Sequence, residues 1–193
     1  MTISARKYLK ERPYIVTGTG HRPKHYVNYD MYYTSLSIIT DSISKVVEDN
    51  EIDIDLVISG MALGFDTALA MYAIENNIPL HAYIPFVGQE YKWSKDMQST
   101  YQNLIQGAEK VLVSVDNHPK EYREVAASLH KRNSDMLRDT DICFTFHRPD
   151  IITGGTVDAI KKAKSKSIYT VPIWPEYEKQ AKLKKFSIKE LEK

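Results

Sequence analysis

Short apolar runs alternate with stripes of helical spacing along most of this chain. Tyr14–Thr17, Ile54–Ser59 and Pro79–Ile84 read as the first three strands, and Leu56-Val57-Ile58 is uniformly apolar. Such a run fits a strand buried on both faces of a parallel sheet. Lys110–Val115, Asp141–Phe146 and Ser167–Val171 continue the series. The first helix is expected from Asp30 to Asp49. Its apolar positions Leu36, Ile39, Ile43, Val46 and Val47 recur at three and four, and Asp30 is placed as its N-cap. A second helix is expected from Gly64 to Asn77, packed through Ala68, Leu69 and Tyr72. A third follows Ser94, a natural cap, and carries Met97, Tyr101, Leu104 and Ile105 on one stripe. Pro119 to Arg138 reads as the fourth helix, with Tyr122, Ala126, Leu129 and Met136 inward, and a fifth opens after Gly154-Gly155-Thr156. Strand, glycine turn and helix in repetition predict an α/β fold: a Rossmann-like, mostly parallel sheet of about six strands flanked by helices.

Length changes this picture little: 193 residues favour a single domain, with a core over about residues 13–173. Met1 to Arg12 forms a polar, basic arm without an apolar stretch of signal-peptide length. The tail from Trp174 is lysine-rich and weakly amphipathic, either docked or frayed. With 42% hydrophobic and 26% charged residues the chain can bury one sizeable core. Its formal net charge of +1 provides no global field for nucleic acid or membrane, and nothing approaches a membrane span. The single cysteine, Cys143, sits in an apolar run and reads as a small buried hydrophobe, with a nucleophile as the weaker alternative. No cysteine–histidine group has zinc spacing, so neither a metal nor a cofactor is expected. A reducing cytoplasm is the simplest compartment.

The candidate chemistry lies where strands end. Gly18-Thr19-Gly20 closes the first strand and leads into His21-Arg22-Pro23. Two glycines there suit a sharp turn and a close ligand, and His21 and Arg22 add donors and charge suited to phosphate or carboxylate. Ser59-Gly60 and Gly154-Gly155-Thr156 pair glycine with a hydroxyl residue just before a helix, where free amides and the macrodipole favour an anion. If these ends share one sheet edge, they form a single cradle. The first motif is not the dinucleotide fingerprint, because Pro23 stands where a third glycine is required, and no Walker lysine motif occurs. Asp66, in the first turn of the second helix, either stabilises that helix end or meets ribose hydroxyls. Asn133 falls on the packed stripe, so its amide either bonds neighbouring backbone or faces a polar cavity; Arg132 beside it is a possible phosphate partner or an ordinary ion-paired arginine. Gln89 and Trp93 offer an amide and a stacking face for a base, or a packing anchor. His147-Arg148-Pro149 echoes the first motif and reads as coincidence, with modest value as positive charge near the strand ends.

The order TGHRP, ISGMALGFD, IPF with a following Gln and Trp, KRNSDML, then GGT before a helix resembles the YpsA-like branch of the SLOG superfamily. That superfamily also includes DprA-type single-strand DNA-binding proteins and LOG cytokinin-activating phosphoribohydrolases. The likeness runs from about Tyr14 to Pro172. It implies a Rossmann-like fold with a nucleotide or nucleotide-derived ligand at the strand ends. The site residues it implies are Gly18, Gly20 and Arg22; Ser59, Gly60 and Asp66; Arg132 and Asn133; and Gly154, Gly155 and Thr156. It also implies homo-oligomers and roles in bacterial or phage conflict. One departure matters. LOG-type hydrolases follow the glycine–threonine turn with x-x-Glu, and here Ala159 holds the glutamate's place, with Asp158 one residue early. On a helix that turns the side chain by about a hundred degrees.

Three functions follow from these residues. The leading one is a sensor or sequestering protein for a nucleotide-like small molecule, such as an ADP-ribose-like signal. The alternative is an N-glycosidase of nucleoside 5′-monophosphates, for which Asp66, Glu90 and Asp158 are the candidate carboxylates. The third, single-stranded DNA binding, is disfavoured by the neutral charge balance.

Overall fold

The computed structural model describes residues 13–189. Six strands form one sheet: β1 (Tyr14–Gly20), β2 (Ile54–Ser59), β3 (Leu80–Phe86), β4 (Lys110–Val115), β5 (Ile142–Phe146) and β6 (Tyr169–Pro172). Their order is β4-β3-β2-β1-β5-β6, and every pairing is parallel. The helices are α1 (Tyr32–Asp49), α2 (Phe65–Glu75), α3 (Lys95–Gly107), α4 (Tyr122–Met136), α5 (Gly155–Ser165) and α6 (Trp174–Leu183). This is the Rossmann-like α/β arrangement expected from the alternating pattern.

Side chains alternate across the pleat and sort the core into two layers. Val16, Phe144 and Phe146 join the main core with α1, α2, α3 and α6, whereas Cys143 belongs to a small second cluster with Leu137 and Ala163. Tyr32, Leu36, Ile39 and Ile43 form the buried stripe of α1, spaced four, three and four apart. Nearly all of α2 is buried, and its alanines Ala68, Ala70 and Ala73 permit close approach to sheet and neighbouring helices. Burial holds the Cys143 thiol up at about 12, so it stays protonated and inert as a small hydrophobe should.

Several boundaries differ from expectation. Asp30 is not the cap of α1. It lies in a 3-10 turn, Tyr29–Met31, because the chain first buries Tyr26 and Val27 in the loop and α1 starts only at Tyr32. Ser94 does cap α3, its hydroxyl accepting from the Met97 amide at 3.4 Å. Pro119 does not open α4; the helix starts at Tyr122, after Glu124 has folded back to accept from the amides of Lys120 and Glu121. Of the residues expected inward only Met136 is buried; Ser128 and Arg132 join it, whereas Tyr122 is 87% exposed and Ala126 and Leu129 are half-buried. The described part of the tail, residues 174–189, is docked rather than frayed, with Trp174, Tyr177 and Ala181 of α6 buried in the main core. Among the described residues no helix is long and apolar enough to cross a membrane.

Candidate functional site

The strand order reverses between β1 and β5, since β2, β3 and β4 lie to one side of β1 and β5 and β6 to the other. In an open parallel sheet, ligands bind outside the carboxyl ends of the strands at such a reversal. A cleft of ≈ 410 Å³ opens there, within the range of small-molecule sites. Its walls come from the end of β1, the start of α2, one face of α4 and the loop leading into α5.

Gly18, Thr19 and Gly20 line the cleft, but they are not a turn. They are the last residues of β1, paired in register with Phe144, Thr145 and Phe146 of β5. The missing side chains of Gly18 and Gly20 serve packing on the other side. A Cβ at Gly18 would lie 2.5 Å from Phe65 Cε1, and one at Gly20 2.3 Å from Phe65 Cβ. The glycines therefore let α2 sit directly on β1, with Phe65 stacked on Phe146 at 5.4 Å.

The next residues supply charge. Arg22 lines the cleft, and its guanidinium makes no hydrogen bond or ion pair with the other described residues. Burial pulls its guanidinium below its ordinary pKa; Asp66 opposes that shift and Arg132 reinforces it. His21 is buried, its Nε2 has no partner, and its ring lies 5.2 Å from His147 and 5.5 Å from His25. Burial, then His147 and His25, push it down to about 4, so it is neutral near pH 7. Among the described residues no group of three or more His, Cys, Asp or Glu side chains is placed to hold a metal.

Asp66 and Arg132 form a buried ion pair at 3.0 Å, at 10% and 6% side-chain exposure. Gly60 makes room for it: a Cβ there would fall 1.2 Å from Arg132 Nη1 and 2.7 Å from Asp66 Oδ2. Ser59 does not line the cleft. Its hydroxyl donates to the Asp66 carbonyl at 2.7 Å and accepts from the Met61 amide at 3.1 Å, bracing the turn into α2. Arg132 Nε is buried without a partner, and Asn133 stands beside it on the cleft wall.

Gly154, Gly155 and Thr156 form the opposite wall. Gly154 takes φ +107°, a conformation that favours glycine, and α5 begins at the next residue. A Cβ at Gly154 or Gly155 would meet nothing within 4 Å, and both residues line the cleft, so the N-terminus of α5, whose first amides lack acceptors inside the helix, borders it.

The remaining candidates lie elsewhere. Gln89 Nε2 donates to the Met61 carbonyl at 3.1 Å, Glu90 is buried and accepts from Gln102 Nε2 at 3.0 Å, and Trp93 meets Tyr101 edge-on at 5.5 Å. None of the three lines the cleft. Asp158 is exposed outside it, and Ala159 is buried beside Thr17, Gly18 and Cys143 around a narrow gap. Asp66, already paired, is thus the one carboxylate among the described lining residues. Arg148 proves to be a staple: Nη1 donates to the carbonyls of His25 and Lys189, and Nε binds Asp150 at 2.8 Å. In His147-Arg148-Pro149 the arginine is thus spent on holding loops together rather than on the cleft. Sequence reasoning also missed Tyr122, Ala126 and Leu129, which line the cleft although their spacing reads as a core stripe.

Fold and cleft together define a Rossmann-like α/β protein with its candidate site at the topological switch point. The family model described as the YspA SLOG family matches residues 16–175, and the chain belongs to that family. Among solved structures, DNA processing protein A (DprA) from Streptococcus pneumoniae shares the fold with a TM-score of 0.53 and 18% identity, over 86% of this chain and 51% of that one. The chain thus spans about half the length of that protein. No curated protein matches the chain.

Proposed function

We propose that the cleft binds a nucleotide or nucleotide-derived small molecule, and that the protein is a sensor or sequestering module for an ADP-ribose-like ligand. One observation carries this reading. Arg22, a cation without a partner among the described residues, lines the same cleft as the open N-terminus of α5. A phosphate between them gains a charge-assisted hydrogen bond and the helix amides together. His21 Nε2 and Arg132 Nε, both buried and unpartnered, are further polar atoms that a bound ligand would satisfy. Binding is favoured over hydrolysis because Asp66, a lining carboxylate, is locked to Arg132 and Ala159 stands where LOG-type enzymes carry glutamate. A homo-oligomer belongs to the proposal; edge strand β4, which exposes Val111 and Val113, is where a second copy would pair. The lone buried cysteine suits a reducing cytoplasm.

Titration calorimetry with AMP, ADP-ribose, NAD and cyclic ADP-ribose tests the reading. At least one ligand is expected to bind, and Arg22→Met is expected to weaken it by about tenfold or more, as loss of a charge-assisted bond requires. Absence of heat with every ligand overturns it. Release of free base from nucleoside monophosphates would replace it with the N-glycosidase, and a gel shift with single-stranded DNA at moderate salt would replace it with DNA binding.

A further inference from the structure

Tyr122, Ala126, Leu129 and Asn133 follow one another at four, three and four residues, so they form a single stripe down α4. An apolar helical stripe ordinarily packs against a core. Here the core side of the helix is the stripe Ser128, Arg132 and Met136, held by the ion pair to Asp66. The apolar stripe instead forms a wall of the cleft, faced by Ile151 from the loop before α5. The cleft is therefore two-sided in chemistry. Arg22 and the α5 amides make a polar end, and α4 contributes an apolar wall with an aromatic ring at its open end. At the inner end stands the Asn133 amide, whose side chain has no hydrogen bond to other described residues.

We propose that this α4 stripe is the base-recognition wall of the site, with Tyr122 stacking on a planar heteroaromatic ring and Asn133 reading its polar edge. This rests on the nucleotide reading above and deepens it by assigning the base. An anion alone has no use for an apolar wall, and an apolar ligand alone would leave Arg22 and the α5 amides unsatisfied. A nucleoside phosphate satisfies both. Tyr122, 87% exposed and making no other ring contact among the described residues, is free to lie along a base. Trp93 cannot take that role from its position, since it is half-buried against the main core with its ring edge-on to Tyr101 and does not line the cleft.

The experiment compares ligands with and without a base. Affinities of AMP, ADP-ribose and ribose 5-phosphate are measured by calorimetry for the wild type, Tyr122→Ala and Tyr122→Phe, with thermal melts as the folding control. Tyr122 is so exposed that neither substitution should shift the melt. The wild type is expected to bind a base-bearing ligand more tightly than ribose 5-phosphate by ~5- to 100-fold, the range of base–aromatic stacking. Tyr122→Ala should erase that preference and leave ribose 5-phosphate untouched, and Tyr122→Phe should keep it. A preference that survives Tyr122→Ala overturns the assignment but leaves the nucleotide site standing, as does a wild type that ignores the base. A wild type that binds none of the three overturns both.

Discussion

At Gly60 the absence of one methyl group decides what α4 can bury. The Arg132 guanidinium occupies the space where a Cβ would stand, and Asp66 closes on it from α2. Gly60→Ala leaves no room for both. Either Arg132 withdraws, stranding a buried carboxylate, or the turn into α2 moves, disturbing the Ser59 hydroxyl that braces it. Breaking a buried pair costs ~3–5 kcal/mol, so Gly60→Ala is expected to lower the unfolding free energy in urea by about that much. A cost below ~1 kcal/mol would show that Arg132 is mobile rather than locked. This pair was half legible. Arg132 reads as a phosphate partner or an ordinary ion-paired arginine, and Asp66 as a carboxylate at a helix start or against ribose hydroxyls. What the sequence could not convey is that they pair with one another, 66 residues apart, over a glycine. Gly18 and Gly20 teach the complementary lesson. They announce themselves as glycines, yet the reason is the Phe65 ring on the far side of the strand rather than a turn.

Two neighbouring glycines at the start of α5 separate conformation from space. Both face open cleft, but only Gly154 has a positive φ. Gly154→Ala forces a side chain into a strained backbone and is expected to lower stability by ~1–3 kcal/mol. Gly155→Ala meets no clash and no strain, and alanine is the better helix former, so the thermal midpoint should hold or rise. Its methyl group nevertheless stands at the helix N-terminus that borders the cleft, and nucleotide affinity should fall. A denaturant curve and a calorimetric titration on each variant check the contrast; affinity unchanged in Gly155→Ala would move the anion away from this helix. The elements themselves were readable from period and punctuation because a doubly covered parallel sheet writes apolar runs, and its helices write stripes. The face of α4 was not. Periodicity reports that Tyr122, Ala126 and Leu129 share a side of the helix, but a cleft and a core ask for the same residues. The true inward face is carried by Ser128, Arg132 and Met136, and only the ion pair with Asp66 makes that burial tolerable.

The whole molecule joins its last helix to its first loop. Tyr177 of α6 is fully buried and meets Tyr26 at 5.9 Å, Phe146 at 5.0 Å and Trp174 at 5.3 Å, edge-on or tilted. Tyr26 lies in the loop directly after His21, Arg22 and Pro23, and Phe146 is the end of β5 that binds the His21 amide at 3.1 Å. The aromatic cluster therefore supports the backbone that presents Arg22 to the cleft. This connection hid in the sequence because lysines dominate the composition of the tail, while its buried face is only Trp174, Tyr177 and Ala181, three residues at three- and four-residue spacing. Truncating the ring tests the connection. Tyr177→Ala should cost ~3–5 kcal/mol, the range for an aromatic removed from a core. Tyr177→Phe should cost little or be stabilising, because the buried phenol oxygen has no partner and burial holds its pKa far above the ordinary value. If the cluster also positions the site, Tyr177→Ala will lose nucleotide affinity even at temperatures where its circular dichroism is native, whereas Tyr177→Phe will bind as the wild type does. Native affinity in a folded Tyr177→Ala would mean that α6 stabilises the fold without shaping the cleft, and that the loop carrying Arg22 holds its conformation by its own 3-10 turn at Pro23–His25.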